Sequence, residues 1–298
     1  MSKEILITVL TPTYNRAKEI INLYNSLLVQ TNLRFKWLIV DDGSNDNTKE
    51  VISNFVNKTF PIAYIYKENG GKHTAHNEGI KHINTELTII VDSDDILTND
   101  AIQSIYDEWL PVRSKNLCGI SFLKRDKEGT VSGKEYPKQR FVGNFIDVRI
   151  NGDDRGEKAD VWVTSILKKY PFPVFKDEKY IGEGAIWCTI AKEKEMLFIN
   201  KVIYIFEYQE EGLTKSGRML RLRNPLGGMY SAKIALSKEF NWRIKTKKMW
   251  LYICYGKLAR VKLKELFFEC PMKVYFIINF PFGVLLYRYW RVKYLRSH

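Results

Sequence analysis

Residues 89 to 97 read Ile89-Ile90-Val91-Asp92-Ser93-Asp94-Asp95-Ile96-Leu97. An apolar run of the kind that forms a strand buried on both faces ends abruptly in three carboxylates. Acids this close repel one another unless a cation lies among them. Hard oxygen ligands in small number select Mg²⁺ or Mn²⁺, which complete their shells with water and the phosphates of a nucleotide. An Asp near a helix start is otherwise a common cap, and that role is open to Asp95. It does not account for all three acids.

Outward from this stretch the chain keeps one rhythm. Ile5 to Leu10 is an apolar run stopped by Thr11-Pro12-Thr13, and Ile20, Leu23, Leu27 and Leu28 then recur at helical spacing. Strands are expected at 37–40, 62–66 and 87–91, with helices over 48–56, 73–83 and 100–110, the last followed by Pro111. Strands alternating with helices predict an α/β fold, a mostly parallel sheet flanked by helices, whose ligands bind at the carboxyl ends of the strands. Three of those ends are polar: Thr11-Pro12-Thr13-Tyr14-Asn15, Asp41-Asp42-Gly43-Ser44 and Asp92-Ser93-Asp94-Asp95. Residues 124 to 160, rich in charge and turn formers, read as a variable loop region. Glu68-Asn69-Gly70-Gly71-Lys72 places a glycine pair and a cation before a helix, which suits an anionic ligand, but its spacing matches neither a dinucleotide fingerprint nor a P-loop.

Thr11-Pro12-Thr13-Tyr14-Asn15-Arg16, Val40-Asp41-Asp42-Gly43-Ser44, Asn69-Gly70-Gly71 with Ala75 and Asn77 to Gly79, and Val91-Asp92-Ser93-Asp94-Asp95 resemble, in order and spacing, the motifs of family 2 glycosyltransferases with the GT-A fold. The resemblance covers residues 4 to 110 and weakens toward 220. It implies a Rossmann-like GT-A catalytic domain over 1–220. It also implies a nucleotide-sugar donor, usually a uridine diphosphate (UDP) sugar, held with Mn²⁺ or Mg²⁺. Thr11 and Asp42 would then meet the uracil end, Asp92 the ribose or donor sugar, and Asp94 the metal, with Lys72 beside the nucleotide and Pro12, Tyr14 and Ser93 also among the residues that bind the nucleotide sugar. His76 stands where the family's third motif has Arg.

Sugar transfer also needs a base for the acceptor hydroxyl. Tyr180-Ile181-Gly182-Glu183-Gly184-Ala185 resembles the family segment that supplies the inverting base; many members carry Asp where Gly184 stands, so Glu183 takes the role here. The same Glu183 also reads as a surface acid favoured by a helix N-terminus. Glu211-Gly212-Leu213-Thr214-Lys215-Ser216-Gly217-Arg218 reads either as a segment whose Lys215 and Arg218 close over a diphosphate or as a solvated basic loop.

The net charge of +13 is unevenly distributed: from Leu213 to His298 there are 19 Lys and Arg against three acids, +16, which leaves −3 for the rest. Residues 221–298 are therefore expected to form a basic, aromatic-rich helical region. Val274 to Tyr287 is uncharged but shorter than the roughly 20 residues of a bilayer span, and Pro281 interrupts it. Flanked by Arg288, Arg291, Lys293 and Arg296, with Trp242, Trp250, Tyr252 and Tyr255 upstream, it suits an anionic membrane surface. Packing on the catalytic domain, or on a second copy in a homo-oligomer, is the alternative. Four scattered cysteines and an N-terminus without a secretory signal pattern place the expected chain in the cytoplasm, peripheral on the inner face of the cell membrane. A polyprenyl-linked glycolipid or other saccharide is the natural acceptor there. Nucleic-acid binding leaves the acidic strand ends unexplained; a catalytically silent nucleotide-sugar-binding module is the remaining alternative.

Overall fold

The computed structural model describes residues 4–55, 59–154, 156–207 and 213–295, with side chains in the last stretch from 217 to 294. In chain order the elements are β1 (Ile7–Thr13), α1 (Glu19–Leu28), β2 (Phe35–Asp41), α2 (Thr48–Ser53), β3 (Ile62–Tyr66), α3 (Lys72–His82), β4 (Leu87–Ile90), β5 (Ile96–Leu97) and α4 (Ala101–Trp109). There follow β6 (Gly119–Arg125), β7 (Arg140–Gly143), β8 (Lys158–Val163), α5 (Thr164–Leu167), α6 (Gly184–Ala191) and β9 (Met196–Ile205). The chain then turns helical: α7 (Leu213–Arg223), α8 (Pro225–Ile234), α9 (Trp242–Leu258), α10 (Leu263–Glu269) and α11 (Lys273–Leu295).

The strands form one sheet in the order β3-β2-β1-β4-β8-β6-β9-β5, with β7 paired to β9. β3, β2, β1 and β4 are parallel, as the apolar runs predict. Beyond β4 the sheet is mixed, because β8 lies antiparallel to both β4 and β6. The stretch from 124 to 160 is thus more than a loop: it holds β7, a π-helical turn over Ile146–Asn151 and the start of β8. Its charges obscured this, and some of them pair within the stretch, Lys158 and Arg149 both with Asp154.

Successive side chains of a strand point to opposite faces, and here both faces are covered. Val9, Trp37 and Ile39 pack with α1, α2 and α4, while Leu10, Leu38 and Val40 pack with α3 and α6. Burying one such side chain contributes about 1.5–3 kcal/mol, and two-sided burial explains why β1 and β2 show no polar alternation. Close approach of α3 to β1 depends on Gly79, where an added Cβ would come 2.4 Å from Leu10.

The C-terminal helices have their own cores. Met249, Tyr252, Ile253, Leu266 and Phe276 form one, and Leu222, Cys254, Tyr255 and Trp290 another. Tyr252 and Tyr255 are therefore interior, and the Trp250 indole donates to Asn279. α11 continues through Pro281 rather than breaking there. No helix among the described residues is long and apolar enough to cross a membrane.

Candidate active site

β1, β2 and β4 are adjacent and parallel, so their carboxyl ends open on one edge and gather the three polar turns. Asn15, with φ 51°, knits two of them: its side-chain oxygen accepts from the Asn45 amide (2.9 Å) and its own amide donates to Ser44 Oγ (2.9 Å). Asp46, just before the Asn47 cap position of α2, accepts from the Thr48 amide (3.0 Å) and hydroxyl (2.6 Å). Asp41 accepts from the Ser44 amide (2.7 Å) and the Tyr64 hydroxyl (2.8 Å).

Asp42 is buried, and its carboxylate shapes the glycine loop. It accepts from the amides of Gly70 (3.0 Å) and Gly71 (2.7 Å), from Asn69 Nδ2 (3.1 Å) and from Lys67 Nζ (2.6 Å). Gly71 has φ 94°, and a Cβ there would sit 1.9 Å from the Lys179 carbonyl oxygen, so this turn accepts glycine alone. Thr11 is likewise turned inward, its Oγ1 accepting from Trp37 Nε1 (3.0 Å); Pro12 is buried and Tyr14 is exposed.

Asp92, Asp94 and Asp95 each offer an oxygen within 4.8 Å of the others. Their environments differ. Asp95 is buried and accepts from the Tyr204 hydroxyl (2.8 Å) and the Glu207 amide (3.2 Å); desolvation, then the Asp92 charge, push its carboxyl up to about 7. Asp94 lies 3.7 Å from Arg16 Nε, and desolvation with the Asp92 charge raises it as well. Desolvation also works against the Asp92 carboxylate, yet the ammonium groups of Lys72 and Lys124 hold it down to about 2. One firmly ionised acid beside two that resist ionisation is a cluster short of positive charge. A divalent cation fits this all-oxygen set, and Asp92 and Asp94, both partly open to solvent, would hold it.

Lys72, the first residue of α3, joins this cluster to a distant segment. Its Nζ lies 2.7 Å from Asp92 Oδ1 and 2.8 Å from Glu183 Oε1. Burial would raise the Glu183 carboxyl, but the Lys72 ammonium lowers it, leaving an ionised base. Behind Glu183 lies His76, fully buried, its Nε2 3.9 Å from Glu183 Oε1 and neither ring nitrogen hydrogen-bonded. Burial drives its imidazole down to about 4, so it is neutral.

Thr11, Pro12, Tyr14, Asp42, Lys72, Asp92, Ser93 and Asp94 thus stand at one sheet edge, and Lys72 brings Glu183 to it. Arg218 packs over the Trp290 and Tyr294 rings of α11. The Lys215 side chain, with Glu211, Gly212 and Arg296, lies outside the described residues. Sequence reasoning gave no role to Arg16, Lys124 or Tyr204. Lys124 has a visible signal, a cation closing the apolar strand Ile120–Leu123, and its Nζ sits 3.8 Å over the Tyr204 ring. Tyr204 has none: within β9 it is one more strand aromatic, although its hydroxyl bridges the Asp92 amide (3.0 Å) and Asp95.

Comparison with known proteins identifies the family and the fold. Residues 8–156 match the model of the family described as Glycosyl transferase family 2. The chain is similar to "Glycosyltransferase GlyG" of Streptococcus pneumoniae, 36% identical over 77% of this chain and 80% of that one. It is also similar to "GalNAc(5)-diNAcBac-PP-undecaprenol beta-1,3-glucosyltransferase" of Campylobacter jejuni, 26% identical over 94% and 92% of the two chains. Residues 1–349 of Staphylococcus aureus TarS, crystallised with UDP-GlcNAc, share the fold with a TM-score of 0.64 at 18% identity, covering 95% of this chain and 91% of that one. A family match along half the length, joined to the identity with GlyG across most of both chains, makes this protein a member of glycosyl transferase family 2.

Proposed function

We propose that the protein transfers a sugar, with inversion, from a UDP-sugar to a hydroxyl of a saccharide carried on a polyprenyl diphosphate. The observation that carries this is the Lys72 ammonium, which holds Asp92 of the acidic edge and Glu183 of a remote segment within 2.8 Å of one atom. A donor-side cluster and an ionised carboxylate base therefore share one small volume. UDP as carrier is supported by the TarS complex with UDP-GlcNAc, and a lipid-linked acceptor by the wording of the Campylobacter relative.

In the proposed reaction the acceptor oxygen forms a bond to the anomeric carbon, on the face opposite the leaving group. The bond from that carbon to the diphosphate oxygen breaks, and its electron pair leaves with UDP. The acceptor proton passes to Glu183, whose ionised state is the one a base requires. Lys72 and Arg16 supply positive charge beside the site where the diphosphate gains charge. A Mn²⁺ or Mg²⁺ held by Asp94 and Asp92 would neutralise the same diphosphate. Asp42 acts at one remove by fixing the Gly70-Gly71 turn.

Residues 1–220 form the catalytic unit in this proposal, and 221–298 a basic extension that keeps the enzyme on the inner face of the membrane. The test is a nucleotide-sugar panel with Mn²⁺ or Mg²⁺, read by thermal stabilisation and by transfer to a soluble, short-chain prenyl-diphosphate saccharide. Glu183→Gln should retain stabilisation by UDP while transfer falls at least about 100-fold. Transfer that survives the substitution removes Glu183 as the base, and stabilisation without transfer in the unaltered protein points to a silent binding module.

A further inference from the structure

The last helix leaves a long apolar face uncovered. Val274, Ile278, Phe282, Leu285, Tyr289 and Val292 of α11 are each 51–73% exposed. At 3.6 residues per turn they fall within an arc of about 80° and extend along roughly 27 Å of helix. The opposite face is packed: Phe276, Asn279 and Trp290 are buried against the neighbouring helices. α10 adds exposed Leu263 and Phe268.

Two occupants suit a stripe of this spacing, a second helix and a lipid surface, and charge decides between them. α11 contains no acid, and its exposed cations Lys273, Arg288, Arg291 and Lys293 flank the stripe on both sides. None of the four makes a salt bridge among the described residues. A second copy would set one such row of cations against another, without the complementary charges that helix pairing uses. Anionic head groups supply the missing partner, and an exposed apolar stripe between cations is the pattern of a helix lying in the interface plane. With one face fixed to the protein and no length of apolar helix able to cross, α11 would insert its stripe only to the depth of its side chains.

We infer that the α11 stripe from Val274 to Val292, with its flanking cations, is the surface by which the enzyme docks on an anionic membrane. This rests on the peripheral placement proposed above and adds the face of the helix that meets the lipid. The probe is sedimentation with phosphatidylglycerol-rich and with phosphatidylcholine vesicles, at low and high salt. Ile278→Glu/Leu285→Glu changes two exposed side chains, so its melting temperature should equal that of the unaltered protein. Its binding to anionic vesicles should fall roughly tenfold or more, because two buried apolar contacts become charges that anionic lipid repels. Arg288→Gln/Arg291→Gln/Lys293→Gln should weaken binding mainly at low salt. Neither variant should alter transfer to the soluble short-chain acceptor. The docking surface is overturned if the glutamate variant binds anionic vesicles as before. It is also overturned if the unaltered protein binds neutral vesicles equally well, or ignores vesicles and forms a dimer that these glutamates dissociate. Vesicle binding that behaves as expected, in a protein that transfers no sugar, leaves the docking face standing and removes the proposed reaction.

Discussion

His76 is buried directly behind Glu183 with both ring nitrogens unpartnered, and this makes the site acid-sensitive in a measurable way. Its folded-state pKa is lowered from 6.5 to about 4, by desolvation above all, with Glu183 and Asp92 pulling upward and Lys72 and His73 pushing down. An imidazole whose pKa falls on folding is protonated more readily in the unfolded chain. Its contribution is therefore fully present above pH 6.5 and is lost as pH falls toward 4. At pH 5 the two titration curves differ by about 2 kcal/mol. In a chain of this length that is about 3 °C in melting temperature. His76→Phe replaces the ring by an apolar one of similar shape, beside Phe172, whose ring centre is 5.5 Å away. Removing unpaired polar atoms from a buried site is close to neutral or stabilising. Any packing penalty for the slightly larger ring is the same at every pH and cancels from the comparison. The assay is thermal unfolding followed by circular dichroism, without added metal, at pH 8 and pH 5. The variant should lose about 3 °C less than the unaltered protein between the two values. His73, also lowered by burial, is present in both proteins and drops out. An equal loss in the two proteins refutes the burial of a neutral His76.

Asp94→Asn removes one crowded charge, so the metal-free protein should melt no lower than the unaltered one while Mn²⁺ no longer raises its melting temperature; a retained response removes Asp94 as ligand. Lys72→Met leaves Asp92 and Glu183 without their shared cation. As all three side chains are about one-third exposed, the loss should fall between that of a surface and a buried pair, about 2 kcal/mol, read by urea unfolding at pH 7. An unchanged midpoint means that the pair carries no net stability. Gly71→Ala forces a φ of 94° on an L side chain and a Cβ to 1.9 Å from the Lys179 carbonyl. It should cost at least about 2 kcal/mol and weaken UDP binding, since the turn that Asp42 fixes must open; isothermal titration checks the second effect.

The acidic edge was legible because it breaks a rule of composition: strands buried on both faces have no use for Asp42, Asp92 or Asp94 unless something meets them there. The glycine loop was legible as a turn before a helix, but the use of Asp42 was not. Its position suggested an outward-facing acceptor, whereas four donors from residues 67 to 71 occupy its oxygens, and a hydrogen bond between two loops leaves no periodic trace. The mixed half of the sheet was hidden by charges. Lys158 and Asp160 interrupt the apolar pattern of β8, and only the folded chain shows them held by Asp154 and Ser121. The aromatic-rich tail misled in its detail, since Tyr252 and Tyr255 face inward. Aromatic content alone does not separate an exposed stripe from a core; helical phase and the packed partner do.

The mixed half of the sheet matters to the site because of what it returns to the acidic edge. Parallel strands alone deliver turns and helix N-termini, and here they deliver three aspartates with Arg16 and Lys72. β6, parallel to β9, carries Lys124 over the Tyr204 ring, and Tyr204 reaches back to the Asp92 amide and the Asp95 carboxylate. Asp95 is thereby fixed by a hydroxyl and a backbone amide, and Asp92 by an ammonium, while Asp94 faces a guanidinium 3.7 Å away and its own backbone amide. Unequal support of this kind assigns unequal roles to acids that look equivalent in the sequence. Asp95 is tied into the structure, Asp92 is kept ionised, and Asp94 is the partly solvent-open member whose nearest cation, Arg16 Nε, stands 3.7 Å away. A carboxylate left in that state binds an incoming cation with the least competition from its own protein.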